Sequence, residues 1–264
     1  GPQDFHDHYR KTPTGNGTWE KVMHGINLLK KHHVEWNAMA VVNAYNATRP
    51  LDFYHFFKEN GCQYLQFAPI VEKALTPIEE AVTPKQWGDF LCAIFDEWVH
   101  NDVGRIFVEI FDCTLANWVG VAPGICVYAK ECGHAGVMEY NGDVYSCDHF
   151  VFPQYKLGNI LKNSLIKMLY GDKQREFCKL KHNSLPRQCK ECDMEFACHG
   201  ECPKNRFEKD KYGENGLNFL CQGYYKYYSH VAPYMDFMKH ELLAQRSPAN
   251  IMTALRLNGD INAY

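Results

Sequence analysis

Little in this sequence would hold it to a membrane or draw it to a charged polymer. None of its apolar runs approaches the roughly 20 residues that span a bilayer, and no secretory signal opens the chain. Lysine and arginine number 28 against 31 aspartates and glutamates, a formal net charge of −3, and the basic residues are interspersed with acids. Such a balance offers nucleic acid no footprint. No internal repeat and no low-complexity segment occurs, so neither a repeat array nor a disordered tract is expected. What remains is a chain of 264 residues, 46% hydrophobic, able to bury a sizeable core without covalent staples. It reads as a cytoplasmic protein that contacts neither membrane nor nucleic acid.

Cysteine, by contrast, is plentiful at twelve residues. Eight of them fall in the second half as C-x5-C-x9-G-x4-C, then C-x2-C-x5-C-x3-C, then a last Cys: Cys126, Cys132, Cys147, Cys189, Cys192, Cys198, Cys202 and Cys221. Eight thiolates make two sets of four, as two four-cysteine metal centres require. Disulfides suit small secreted domains, which this is not. Structural zinc is open, because Cys189-x2-Cys192 fits the tight knuckle of a zinc ribbon. Iron–sulfur clusters use the same thiolates but gather them from distant segments around a larger body, and the scatter from Cys126 to Cys221 suits that better. Cys62, Cys92, Cys113 and Cys178 match no motif and read as small buried hydrophobes. His6, His8, His32 and His33 lie in polar stretches and read as solvated.

Local patterns alternate over the first 120 residues. Thr18 is a candidate N-cap for an amphipathic helix from Trp19 to about Lys31, with Val22, Ile26 and Leu29 on one side. Val34 to Val42 reads as a buried strand, Pro50 to Asn60 as a helix stopped by Gly61, and Gln63 to Ala68 as a strand ended by Pro69. Thr83-Pro84 opens a helix from Lys85 to His100, and Arg105 to Ile110 reads as a further strand. Alternation of this kind implies parallel βα units, and three strands are too few to close a barrel. Val119 to Gly124 is a candidate linker. Beyond it, Asn141-Gly142 predicts a type I′ hairpin turn that brings Cys132 and Cys147 together. Leu161 to Lys181 reads as one helix, Cys189 to Cys202 as a loop around metal, and the stretch from Cys221 as a helical tail whose Tyr224, Tyr225, Tyr227 and Tyr228 serve packing.

The cysteine pattern resembles the SPASM domain, an auxiliary-cluster extension of radical S-adenosylmethionine (SAM) enzymes. Within that class, CGHAGVMEYNGDVYSCDHF, CKECDMEFACHGECPKNRF and the upstream Cys126 are similar to the anaerobic sulfatase-maturating enzymes. GPQDFHDHYRK is similar to the family segment that follows the middle strands of the radical SAM barrel. The resemblance implies an α/β fold: a partial (β/α) barrel of the radical SAM type over 1–120, then an α+β cysteine-rich SPASM domain with a helical tail over 121–264. One motif departs from the family. The C-x3-C-x2-C that binds the catalytic cluster is missing, since Cys198 and Cys202 have the first spacing but position 205 is Asn. The chain also starts at Gly1 without an initiator Met, so it reads as the C-terminal part of a longer enzyme, unable by itself to cleave SAM.

The resemblance further implies the site. One auxiliary [4Fe–4S] cluster would take Cys126, Cys132, Cys147 and Cys202, and a second would take Cys189, Cys192, Cys198 and Cys221. With every iron thiolate-ligated, both would move electrons rather than bind substrate. Asp148 would be the base that deprotonates the substrate, a role chemistry requires when a Cys or Ser side chain is oxidised, although capping of the hairpin is an equally good use of it. Val42-Asn43 and Leu65-Gln66-Phe67 are read as strand ends, which makes Asn43 and Gln66 candidate hydrogen-bond partners of SAM and Leu65 a packing surface for adenine. The complete enzyme would hold SAM and a third [4Fe–4S] cluster, oxidise an active-site Cys or Ser of a sulfatase to Cα-formylglycine, and draw on a donor such as flavodoxin or ferredoxin. Two alternatives stand beside this: a SPASM enzyme forming thioether or carbon–carbon cross-links in a peptide, and a non-catalytic zinc module.

Overall fold

Residues 1–72, 80–259 and 261 are described by a computed structural model. They form two units, Gly1–Val119 with Gln222–Tyr264, and Gly120–Cys221.

The first unit opens with α1 (Gln3–Tyr9) and α2 (Trp19–Lys31), followed by β1 (Asn37–Val42), α3 (Pro50–Glu59), β2 (Tyr64–Pro69), α4 (Pro84–Asn101), β3 (Phe107–Val108) and α5 (Glu109–Trp118). The strands pair in parallel in the order β1-β2-β3, the open sheet of a partial barrel. Local chemistry sets the boundaries. Thr83 and Gln86 form a reciprocal capping box at the start of α4, with Pro84 in the first turn, where its missing N–H costs nothing. Gly61 supplies the left-handed conformation, φ 77°, that ends α3.

Three expectations need correction in this unit. Thr18 does not cap α2: its hydroxyl donates to the Arg10 carbonyl, and Asp7 accepts the N–H groups of Thr18 and Trp19 instead. The strand at Val34 starts only at Asn37 and, as a sheet edge, buries just Ala40 and Val42 while its other residues stay open. The strand from Arg105 to Ile110 shrinks to two residues. At one end the N–H groups of Arg105 and Ile106 turn back to the Asp102 carbonyl, and at the other Glu109 begins α5.

In the second unit β4 (Val137–Met138), β5 (Asp143–Tyr145) and β6 (Lys156–Asn159) make an antiparallel sheet. It is followed by α6 (Leu165–Leu169), α7 (Asp172–Asn183), α8 (Arg187–Lys190), α9 (Glu195–Cys198) and the pair β7 (Glu208–Lys209) and β8 (Asn215–Leu217). The β4–β5 turn is not type I′. Gly142 donates to the Glu139 carbonyl and takes φ 84°, while Asn141 stays out of the left-handed region. Tyr140 and Asn141 are therefore the central residues, with a glycine bulge after them. The helix expected from Leu161 to Lys181 is broken at Gly171, whose extended backbone lies so close to the Lys167 carbonyl that a Cβ there would sit 2.4 Å from the oxygen. The metal loop contains two single turns of helix, α8 and α9, each ending near a cysteine.

The chain closes with α10 (Cys221–Leu243) and α11 (Asn250–Asn258). From residue 222 these pack with the first unit, whereas the sequence division carried them with 121–264. The reason is the aromatic face of α10. Tyr224 meets Trp87 edge-on at 6.0 Å, Tyr227 stacks on Phe111 at 5.9 Å, and Gly223 lies against Gly88 of α4 so closely that either Cβ would strike backbone. Tyr225 alone of the four tyrosines is exposed. Among the described residues no helix is long and apolar enough to cross a membrane.

Candidate metal centre

All eight motif cysteines and Asp148 fall in or at the end of the second unit, and none is in a disulfide. Cys126 follows the linker, and Cys132 is fixed by its N–H to the Cys178 carbonyl at 3.1 Å. Cys147 lies two residues beyond β5 in extended backbone, before the turn at 148–150, and Cys202 opens the turn at 203–205. These four are electrostatic neighbours: Cys132 and Cys147 each feel Cys126, and Cys202 feels Cys132 and Cys147. Cys189 and Cys192 bracket the end of α8, Cys198 ends α9 and Cys221 starts α10. They form the second set, with Cys189 next to Cys192 and Cys221, and Cys198 next to Cys189 and Cys221. Four thiols thus neighbour one another around Cys126, Cys132, Cys147 and Cys202, and four around Cys189, Cys192, Cys198 and Cys221.

Burial pushes the thiols up, to about 11 for Cys132 and Cys221 and to about 12 for Cys147, Cys189 and Cys202. Such thiols stay protonated at neutral pH unless a cation replaces the proton. Backbone geometry prepares for that replacement. The N–H groups of His149, Met194, Gly200 and Lys204 point at the sulfurs of Cys147, Cys192, Cys198 and Cys202, in each case two residues back. Hydrogen bonds of this kind favour the thiolate and tune a metal centre.

The breadth of each set bears on whether it would take one ion or a cluster. Tetrahedral zinc at ~2.3 Å needs sulfurs about 3.8 Å apart. Among the described residues, no three motif sulfurs lie within 4.8 Å of one another; the single group that tight is Cys147, Asp148 and His149. Sulfurs not gathered that tightly are compatible with the larger body of a multi-iron cluster.

Asp148 is exposed beside this centre. The Cys147 thiol donates to its carboxylate at 3.2 Å, and this contact, more than the neighbouring His149, holds the carboxyl below the usual range. His149 in turn lies 3.5 Å from the Cys202 sulfur. Asp148 is thus open to solvent and adjacent to Cys147.

Sequence reasoning missed the buried polar frame around the thiols. Lys181, on α7 and fully enclosed, donates to the carbonyls of Cys126 and Val127 at 2.6 and 2.7 Å and to that of Ala129. Arg206 donates to the carbonyls of Lys181, His199, Gly200 and Glu201. Glu201 is buried and takes the amides of Asn205 and Asn218 at 3.2 and 2.5 Å. Burial raises the Glu201 carboxyl and lowers Lys181. Only the charged residues inside the C-x3-C-P-K-N-R-F stretch hinted at this.

The candidate SAM contacts lie in the first unit. Asn43 follows β1, buried, with its side-chain oxygen taken by the N–H groups of Tyr45 and Asn46. Leu65 and Gln66 stand at the beginning of β2, not at its C-terminal end, because the strand starts at Tyr64 and runs on through Pro69. Leu65 is enclosed at 2% exposure, whereas Gln66 reaches the Glu109 carboxylate.

Residues 131–193 match the SPASM iron–sulfur cluster-binding domain. The chain is 62% identical to the serine-type anaerobic sulfatase-maturating enzyme of Bacteroides thetaiotaomicron, over 97% of this chain and 66% of the relative. It is 31% identical to the serine-type enzyme of Klebsiella aerogenes, over 90% of this chain and 58% of the relative. A solved structure of native anSMEcpe with bound AdoMet and Cp18Cys peptide superposes with a TM-score of 0.82 at 28% identity, covering 91% of this chain and 68% of that one. The chain therefore spans between a half and two thirds of the length of these two enzymes.

Proposed function

Because this chain belongs to the anaerobic sulfatase-maturating enzymes, a SPASM-bearing family, we propose that it provides the substrate base and the electron-relay domain for oxidation of a sulfatase side chain to Cα-formylglycine. The proposal concerns the enzyme in which these residues work together with a C-x3-C-x2-C segment. Bound SAM and its own [4Fe–4S] cluster supply hydrogen-atom abstraction, and two auxiliary [4Fe–4S] clusters supply one-electron transfer.

Cys126, Cys132, Cys147 and Cys202 would hold one auxiliary cluster, and Cys189, Cys192, Cys198 and Cys221 the other. Bringing a Ser side chain to the aldehyde removes a Cβ hydrogen atom, the hydroxyl proton and one electron. Asp148 takes the proton. Its carboxylate is exposed and adjoins Cys147, which places the proton acceptor beside a residue that would hold the auxiliary cluster. This adjacency is the observation that carries the proposal. The 62% identity to a serine-type relative favours serine as the residue oxidised. Asn43 and Gln66 are assigned to the SAM side of the sheet, whereas Leu65 has given its surface to the core. A sulfatase polypeptide as substrate, a flavodoxin or ferredoxin as electron donor, and a cytoplasmic setting belong to the same proposal.

The test is peptide mass spectrometry on the complete enzyme. Asp148→Asn keeps the size of the side chain but cannot accept a proton at neutral pH. It should reduce formylglycine formation by on the order of 10²–10⁴ while iron content stays at the wild-type value. Formylglycine at the wild-type rate would return Asp148 to a role in the turn. A cross-linked peptide in place of the aldehyde would move the enzyme to another SPASM chemistry.

A further inference from the structure

The segment that joins the two cysteine sets, His199-Gly200-Glu201, is left-handed throughout, with φ values of 48°, 66° and 55°. Glycine accepts that conformation freely, but His199 and Glu201 do not. A left-handed run needs something to hold it, and the side chain of Arg206 does so. Nε donates to the Gly200 carbonyl at 2.8 Å, and Nη2 donates to those of His199 and Glu201 at 2.7 and 3.0 Å. All three carbonyls of the linker therefore converge on one guanidinium. Nη1 donates to the Lys181 carbonyl at 2.5 Å, and the Lys181 ammonium holds the loop carrying Cys126. Only a planar fork of donors reaches four carbonyls in this way, which a lysine cannot reproduce.

Charge points the same way. Every hydrogen bond described for Arg206 goes to a carbonyl, so its cation is solvated by dipoles rather than cancelled by a paired carboxylate. Its electrostatic neighbours are Cys189 and Cys198 of one set, Glu201, and Cys132 of the other. A half-buried cation beside thiolate-ligated iron favours the reduced cluster, because reduction adds negative charge in a medium that screens less than bulk water.

We propose that Arg206 is a positioning residue common to both auxiliary clusters, locking the left-handed linker between Cys198 and Cys202 and raising the reduction potential of each cluster with its charge. This rests on the two-cluster reading given above. Gly200 offers an independent way to disturb the same clamp, since a Cβ there would lie 2.7 Å from Nη2 and 3.0 Å from Cζ of Arg206, and 2.4 Å from Leu185.

The experiment compares the anaerobically reconstituted full chain with its Arg206→Gln, Arg206→Lys and Gly200→Ala variants, by iron and sulfide analysis and by redox titration followed by electron paramagnetic resonance. Wild type must first give about eight irons and two reducible clusters; if it does not, the two-cluster reading fails before the clamp is tested. Given two clusters, Arg206→Gln should move both reduction equilibria about tenfold toward the oxidised state, which is about 59 mV per one-electron couple. Gly200→Ala and Arg206→Lys keep the charge, so they should alter the resonance line shape of both clusters with smaller changes of potential. A shift confined to one cluster, or absent from both, overturns the proposal. Where Arg206→Gln takes up no iron, the other two variants decide: altered signals from both clusters support the clamp, and wild-type signals overturn it.

Discussion

The two units of this chain are held together by different physics. In the first, Trp87, Phe90, Phe95, Trp98 and Phe111 interlock with Tyr224 and Tyr227 at ring separations of 5.2 to 6.4 Å. Burial of large apolar side chains is enough to order such a body. The second unit has few counterparts to these rings: Tyr128, Val144, Met168, Phe177, Leu185 and Leu220 are most of its buried apolar side chains among the described residues. In their place it encloses Lys181 and Glu201, with half-buried Arg206, near eight partly open thiols. A core of that composition holds cations and protonated thiols at a cost, and gains most when anionic metal centres fill it. One unit is ordered by packing, the other by what it binds.

The contrast can be broken most decisively by withholding iron. Structural metal sites of comparable size contribute roughly 10–16 kcal/mol to folding, so the iron-free chain should lose amide protection across residues 120–221 and keep it in α4 and α5. Hydrogen exchange with and without reconstitution measures this, and equal protection in the two states would refute the division. Cys192→Ala tests the same point within the unit, with iron falling from about eight to about four.

Trp87→Ala strikes the other unit. Trp87 is fully buried, and its removal should cost about 3–5 kcal/mol in thermal unfolding while the iron content of folded protein stays unchanged. Loss of iron in step with stability would mean that the two units fold as one. Gly223→Ala should cost less, about 1–3 kcal/mol, because the new Cβ would meet the Pro84 carbonyl at 2.2 Å where α10 crosses α4. A neutral result would show that the crossing can open without penalty.

The smallest expected effect depends on pH. Hydrogen bonds from Arg246 first, and then from Asn250, hold the Glu241 carboxyl at about 2. A depressed carboxylate stabilises fully above its unfolded value of roughly 4.3, and that support is lost as pH falls toward 2. The difference in unfolding temperature between wild type and Glu241→Gln should therefore be present at pH 6 and vanish near pH 2. A difference that does not change with pH would assign the effect to packing.

Parts of this architecture were legible in the sequence because their causes are local. Thr83-Pro84 with Gln86 specifies a helix start within four residues, and the cysteine spacing is a pattern read along the chain whatever lies between. Arg105 to Ile110 misled because a short apolar run reads alike as strand or helix entry, and only the turn at Asp102 and the onset of α5 decide. Asn141-Gly142 was recognised as a turn but placed one residue off, since the choice of central pair follows from strand register rather than from the dipeptide. The roles of Lys181 and Arg206 could not be read from the sequence, beyond the charge in the stretch after Cys202. Their partners are backbone carbonyls as many as 55 residues away, and carbonyls are the same at every position. Leu65 and Gln66 show the opposite failure: strand and residues were found, but the chemistry of a strand end was assigned to its beginning.

β1 is the edge of its sheet, and Met39 and Val41 stand open there at 67% and 40% exposure. An unpaired parallel margin lined with apolar side chains acts as a template, and any extended segment that reaches it can add to the sheet. Under the proposal that these residues work with a C-x3-C-x2-C segment, an extended strand of that segment is the natural occupant of this margin.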